Sequence, residues 1–249
     1  TMRAISGNDE LVVTFGRGKP YLQGNRARVP LPESGLSEDR LAALRGTSDT
    51  FALRTRFHDE GLHRTSRPHA GTAQQVYDAV EEARIACIGS YLMKGVGDNL
   101  QANLAEHCLN NSYQDIQNQS EAPLGEALGM LIREKVTGRK PPHGGDVVLD
   151  LWRDHLEYSL GENLEGLDDL MFDQEAFAQL AQKMITDLGL SDEYGEDSAD
   201  GEAEEEGEQE EEMQPDSGEE TAEQDMSGDS DLADAIEGEV PVDMDAMDM

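Results

Sequence analysis

Apolar residues recur at three- and four-residue spacing along most of residues 37–190, which is the pattern of helices with one buried face. Residues that commonly begin a helix stand before five of these stripes: Ser37, Thr72, Pro123, Asp146 and Asp173. Glycines that commonly end a helix follow three of them: Gly138, Gly161 and Gly189. Gly46 interrupts the first stripe and is a candidate break in that helix. The pattern predicts a multi-helix globular head.

Residues 1–30 have a different pattern, which predicts extended structure. Residues 11–15 are rich in β-branched and aromatic types, residues 16–20 have the composition of a turn, and a second run reaches Val29. Pro30 and Pro32 stop that second run. Two extended runs around a turn predict a short N-terminal β-hairpin. The expected fold class is therefore mainly α, with this hairpin at its N-terminal end.

Charge divides the chain near residue 190. All 19 lysines and arginines lie at or before Lys183, so residues 1–190 carry a formal charge of −9 and residues 191–249 one of −26. The second segment has one aromatic residue, Tyr194, and too little apolar surface to offset the entropy of ordering. We therefore expect a mostly helical domain over 1–190 and a disordered acidic tail over 191–249.

Composition narrows the class of partner. The formal charge of −35 argues against nucleic acid as a ligand, because phosphates repel a negative surface. The chain has no apolar run of membrane-spanning length and no signal peptide. Cys87 and Cys108 form neither a disulfide framework nor a zinc quartet, and they suit the reducing cytoplasm. Phosphate-loop, nucleophile-elbow, H-E-x-x-H and C-x-x-C motifs are absent, so no catalytic or cofactor-binding residue is predicted.

His58 and His63, beside Asp59 and Glu60, are the candidate metal ligands, because imidazole is the commonest transition-metal ligand. A single helix brings residues i and i+4 together, whereas these two are five apart, so a site requires the chain to break at Gly61. The alternative, which we favour, is a polar, solvent-facing link between two helices with no bound metal.

Two further segments are candidates for partner binding. The first is a segment in which arginines concentrate: Arg54, Arg56, Arg64 and Arg67. These arginines are candidates for binding an acidic partner, and the alternative is that they form ordinary surface ion pairs. In the tail, Leu232, Ile236 and Val240 recur every four residues. That spacing predicts a helix that forms on a partner, with continued disorder as the alternative.

Several segments, in order along the chain, resemble the CobT subunit of aerobic, ATP-dependent cobaltochelatase. They read RAISG and LVVTFG at the N-terminus, AVEEAR at 79–84, LIREKVTGR at 131–139, DLWR at 150–153 and DQEAF at 173–177. A segment from Arg45 to His63 is similar in order and spacing, and the switch to an acidic low-complexity stretch completes the match. The similarity covers essentially the whole chain.

The resemblance implies a non-ATPase subunit that docks an AAA+ ATPase subunit and works with a large tetrapyrrole-binding subunit. That cytoplasmic hetero-oligomer is a ligase that inserts Co²⁺ into hydrogenobyrinic acid a,c-diamide in cobalamin biosynthesis. ATP, Mg²⁺ and Co²⁺ are implied for the whole complex and none is expected on this chain, which is not expected to carry catalytic residues. The family ends in a von Willebrand A-like domain with a D-x-S-x-S motif. Residues 225–229 read DMSGD, so we expect the chain to stop before that domain.

Three functions therefore remain open. The first is the N-terminal part of a cobaltochelatase subunit that acts by protein contact. The second is a stand-alone acidic adaptor or chaperone-like protein that binds basic partners through its tail. The third is a metal-dependent enzyme that uses His58 and His63.

Overall fold

The computed structural model describes residues 1–32, 34–69 and 71–191, which lie in one compact unit. This part of the chain has three strands: β1 (Val12–Gly16), β2 (Tyr21–Gln23) and β3 (Arg26–Pro30). It also has nine α-helices: α1 (Met2–Ser6), α2 (Glu38–Phe57), α3 (Glu60–Ser66), α4 (Gly71–Leu92), α5 (Lys94–Asn110), α6 (Leu124–Thr137), α7 (Gly145–Leu160), α8 (Leu167–Leu170) and α9 (Gln174–Asp187). The mainly α prediction is confirmed. The tail predicted over 191–249 lies outside the described residues except for Ser191, and the domain boundary at 190 stays a prediction.

The three strands form one mixed sheet in the order β1-β3-β2. β2 and β3 pair antiparallel, so a hairpin exists, but it lies entirely within the second extended run. β1 pairs with β3 in parallel, with Val12 opposite Arg26 and Gly16 opposite Pro30. The reason is that the second run contains its own turn, where Gly24 adopts a φ of 51°. The chain therefore reverses twice, and β3 runs in the direction of β1.

The prediction of extended structure is wrong for residues 2–6, which form α1. Met2 and Ile5 lie three residues apart, so both are buried on one helix face, and α1 packs against α2. Gly7 ends the helix in the left-handed conformation, with a φ of 65°. A helix of five residues is too short for a periodic signal and depends on this tertiary packing.

Three predicted helix starts and three ends are confirmed. Ser37 and Asp173 accept hydrogen bonds from backbone amides three residues later, at 3.4 and 3.0 Å. Pro123 is the residue before α6. The glycines predicted to end helices follow α6, α7 and α9 with positive φ angles: Gly138, Gly161 and Gly189.

Two predicted helix starts are displaced. Thr72 lies inside α4, which begins at Gly71. Asp146 lies inside α7, whose cap is Gly144, and its carboxylate accepts the amides of Gly144 and Val147 at 2.8 and 2.9 Å. Asp146 therefore stabilises this helix N-terminus from its second position.

Gly46 does not break α2, which is continuous from Glu38 to Phe57. A Cβ at this position would lie 2.2 Å from the carbonyl oxygen of Asn99 and 2.6 Å from the Cβ of Asn103. Helices α2 and α5 therefore approach so closely that a side chain does not fit. The glycine is a packing requirement of this helix pair.

Helix α4 joins two hydrophobic clusters. Val76, Val80 and Cys87, from the predicted stripe, are buried in the larger cluster with residues of α6, α7 and α9. Ile85 and Ala86 face the second cluster, which contains residues of α1, the sheet, α2 and α5. In the described part of the chain, no helix is both long and apolar enough to cross a membrane.

Candidate functional site

His58 and His63 meet where α2 turns into α3. His58 follows the last residue of α2, and Asp59 caps α3 by accepting the Leu62 amide at 3.0 Å. This turn, and not a break at Gly61, brings the two imidazole rings to a centroid distance of 4.9 Å. The side chains of His58 and His63 are 3 % and 8 % exposed. The prediction of a solvent-facing link is therefore wrong, because α3 turns both rings into the protein.

A buried arginine organises the residues around His58. Arg84 donates to both Glu81 carboxylate oxygens at 2.7 Å, and to the carbonyls of Phe57 at 2.6 Å and Met171 at 2.9 Å. His58 Nδ1 lies 2.7 Å from Glu81 Oε1. Burial alone would raise the pKa of Glu81, but the hydrogen bonds from Arg84 and His58 outweigh it and hold that pKa below its ordinary value. The carboxylate is therefore ionised at neutral pH.

His63 forms a hydrogen bond to a second ion pair, the one between Arg67 and Asp78. Its Nε2 lies 3.0 Å from Asp78 Oδ1, and Arg67 donates to both oxygens of the same carboxylate. The His63 ring also packs against Tyr77, at a centroid distance of 4.9 Å. Burial lowers the pKa of His63 more than the Asp78 hydrogen bond raises it, so the ring is neutral at pH 7. A neutral ring whose Nε2 faces a carboxylate donates its proton there.

We call the following five residues the histidine–arginine cluster, in which the Asp78 side chain is half-buried and the other four side chains are buried: His58, His63, Asp78, Glu81 and Arg84. Within the part of the chain that the structure describes, no group of three or more His, Cys, Asp or Glu residues is suited to hold a metal ion. The cluster instead joins α2, α3 and α4, and Arg84 extends it to Met171 before α9. Its chemistry is that of an ion-pair network between helices.

The four arginines predicted to bind a partner have different neighbours in the structure. Arg54 lies 3.3 Å from His58 and 3.6 Å from Glu60, and Arg56 donates to the Ile5 carbonyl at 3.2 Å. Arg67 is engaged by Asp78. Arg64 is exposed and forms no ion pair or side-chain hydrogen bond among the described residues. The tail candidates Leu232, Ile236 and Val240 lie outside those residues.

Sequence reasoning missed an interhelical cleft of about 730 Å³ between α2, α4, α5 and α6. Its lining combines apolar and charged side chains: Phe51, Arg54, Glu82, Leu104, Glu126 and Arg133. Loss of hydration raises the pKa of Glu82, and Arg133 only partly opposes it. A hydrogen bond to Glu126, 3.0 Å long, raises the pKa of His107. These residues come from four separate helices, so no local motif could have indicated the cleft.

By its fold, the chain is a mainly α-helical protein with a small N-terminal mixed sheet. No solved structure matches the chain. A family model described as "Cobalamin biosynthesis protein CobT" matches residues 1–247. The chain therefore belongs to the CobT family, and membership implies a role in cobalamin biosynthesis, in cobaltochelatase.

Proposed function

We propose that the chain is the N-terminal part of the non-ATPase subunit of the cobaltochelatase that inserts Co²⁺ into hydrogenobyrinic acid a,c-diamide. The observation that carries this proposal is the family match over residues 1–247. The chain docks an AAA+ ATPase subunit and works beside a large subunit that holds the tetrapyrrole. ATP and Mg²⁺ act on the AAA+ subunit, and Co²⁺ is the metal delivered to the substrate.

The buried side chains support a role in assembly. The carboxylates and imidazoles of the histidine–arginine cluster are engaged with one another or with arginines, as the distances of 2.7 and 3.0 Å show. Such a network stabilises a particular packing of helices and leaves few polar groups to act on a substrate. The head thus supplies a rigid surface, and movement comes from the ATPase.

The interhelical cleft is the proposed docking surface on the head. It is a concave surface lined both by apolar side chains, such as Phe51 and Leu104, and by charged side chains, such as Glu82 and Arg133. Stable protein interfaces combine these two features. The acidic segment 191–249 is proposed to act as a self-repelling linker, because its 26 acidic residues are accompanied by no basic residue.

Co-purification of the full chain with the AAA+ subunit, with and without ATP, tests the docking proposal. We expect a defined, nucleotide-sensitive complex that a chain ending at Gly201, the limit of the compact unit, also forms. Glu82→Lys in the cleft should weaken that complex at least tenfold. Glu175→Lys, which makes the same charge change on the exposed face of α9, is the matched control and should not.

Three outcomes would contradict the proposal. Absence of any complex would remove AAA+ docking from this chain. Equal effects of the two charge reversals would remove it from the cleft. Salt-sensitive binding to polylysine by the segment after residue 201, with no AAA+ complex, would favour the acidic-adaptor function instead.

A further inference from the structure

The outer edge of β1 has unpaired backbone groups. The amide of Val12 and the carbonyl of Gly16 bond to backbone groups just outside the two ends of β3, at 2.8 and 3.1 Å. Because the direction of these groups alternates along a strand, Val13 and Phe15 point theirs away from β3. Within the described residues, no partner meets those two amides and two carbonyls.

A groove of about 540 Å³ adjoins this edge. The side chains of Val13 and Phe15 line it from the strand, and Arg45, Ser48 and Asp49 line it from α2. Phe15 is 62 % exposed although it is aromatic. A strand laid against β1 would direct every second side chain into the groove beside Val13 and Phe15.

The residues of β1 lack the features by which a strand itself prevents pairing. Soluble proteins protect an exposed edge with lysine, proline, a bulge or a covering element. β1 reads Val-Val-Thr-Phe-Gly and pairs in unbroken register with β3 through all five residues, so it has no proline, lysine or bulge. The opposite edge, β2, has only three residues and follows Pro20. β1 is therefore the edge that can accept another strand.

The surroundings of β1 are basic in a strongly acidic protein. Residues 1–30 contain five basic and two acidic residues, whereas the whole chain has a formal charge of −35. Arg3 and Arg45 line the groove, and neither forms an ion pair among the described residues. Asp49 also lines the groove, but it is buried, and its carboxylate accepts a hydrogen bond from the Asn99 side chain at 2.8 Å. Charge complementarity therefore favours an acidic occupant.

We infer that β1 is a strand-addition site for an extended, acidic peptide segment of a partner protein, with β-branched or other apolar residues at alternate positions. The backbone groups of Val13 and Phe15 supply the pairing, the groove takes the alternate side chains, and Arg3 and Arg45 select acidic residues. A second copy of this chain is a poorer occupant, because its β1 edge has the same basic surroundings. This inference does not depend on the proposed function.

The probe is the synthetic peptide acetyl-Glu-Val-Thr-Val-Asp-Val-Glu-amide, titrated into the full chain by isothermal calorimetry. Amide hydrogen exchange is the second readout. In the free protein, the Val13 and Phe15 amides should exchange fast while the Val12 amide, bonded toward β3, is slow. Peptide should slow Val13 and Phe15 and leave Val12 unchanged.

Two peptide controls isolate backbone pairing. One carries N-methyl groups on the valines, and the other carries them on the intervening residues. Because amides alternate between the two edges of a strand, only one set should abolish binding. A peptide with lysine at each acidic position should bind at least tenfold more weakly, because Arg3 and Arg45 line the groove.

Two protein variants test the edge itself. Phe15→Pro removes an outward amide and leaves the β1–β3 bonds intact, so it should weaken binding at least tenfold. Phe15→Ala keeps the amide and should weaken it less. Arg45→Gln should weaken binding and reduce its salt dependence, whereas Arg64→Gln on α3 should do neither.

Four results would overturn the inference. The first is no binding at millimolar peptide, and the second is slow exchange of Val13 and Phe15 in the free protein. The third is equal weakening by both N-methylated peptides, which would indicate side-chain binding without strand pairing. The fourth is a dimer of the chain that Phe15→Pro dissociates, which would assign the edge to a second copy.

Discussion

Replacing Arg84 with methionine tests how strongly the histidine–arginine cluster stabilises the head. The Arg84 side chain is 1 % exposed and makes four hydrogen bonds, two to Glu81 and one each to the carbonyls of Phe57 and Met171. Methionine keeps an unbranched stem of similar volume but removes every donor. The variant therefore leaves a buried carboxylate with His58 as its remaining partner, and two carbonyls that lose a donor.

Removing one partner of a buried ion pair costs about 3–5 kcal/mol. That loss is a large share of the roughly 5–15 kcal/mol that stabilises an ordinary domain. The matched control is Arg67→Met, because the Arg67 side chain is 37 % exposed and its pair with Asp78 is near the surface. We expect Arg67→Met to lower the free energy of unfolding by about 0–1 kcal/mol. The double variant Glu81→Gln/Arg84→Met should recover part of the loss, because it removes the uncompensated charge.

Urea unfolding followed by far-UV circular dichroism measures these free energies, and their pH dependence adds a second test. The folded-state pKa of Glu81 lies below its ordinary 4.5, because hydrogen bonds outweigh burial. Its contribution is therefore fully present above pH 4.5 and is lost as pH falls through the folded-state pKa. The difference between the native protein and Arg84→Met should shrink below pH 4.5. A loss no larger than the control's, or a difference independent of pH, would refute the reasoning.

Three further outcomes follow from local geometry. Gly46→Ala should destabilise the protein by about 1–3 kcal/mol, because the new Cβ would lie 2.2 Å from a carbonyl oxygen of α5. Gly95→Ala, where nothing lies within 4 Å of the new Cβ, is its control in urea unfolding and should not destabilise. Glu82→Gln should raise stability slightly at pH 7 and not at pH 3, because the raised pKa of Glu82 costs stability only above its ordinary range. The effect should be small, because the residue is exposed and water screens its charge; equal effects at both pH values would contradict this. Cys87 and Cys108 are buried, and the pKa of each thiol is raised to about 11. A thiol reagent at pH 8 should therefore label both only after unfolding, and rapid labelling of the native protein would contradict this prediction.

Much of the helical architecture could be predicted because its signals are local. Ser37, Asp173 and Pro123 act within one helical turn, so residue type and position suffice to place a helix start. The family could also be predicted from ordered segments, and the match over residues 1–247 confirms it. Gly46 shows where local signals fail. Its low helix propensity indicates a break in the helix, whereas in the structure it allows the close contact of α2 with α5.

The candidate site could be predicted only in part. The sequence singled out His58 and His63, but their burial depends on a turn between two helices and on Arg84, which reaches them from α4. The residues of the interhelical cleft come from α2, α4, α5 and α6, so no spacing along the chain relates them. Spacing predicts contacts within one helix and says nothing about which helices meet.

The sequence by itself determined the helical class, most helix ends, the extended N-terminal runs and the division of charge near residue 190. These properties follow from propensity, periodicity and net charge, each of which acts over a few residues or sums over many. Only the tertiary structure decided that β3 separates β1 from β2, that the side chains of two histidines are buried and that one strand edge is open. Those features depend on contacts between residues far apart in the chain, where packing and hydrogen-bond pairing decide between arrangements of equal local propensity.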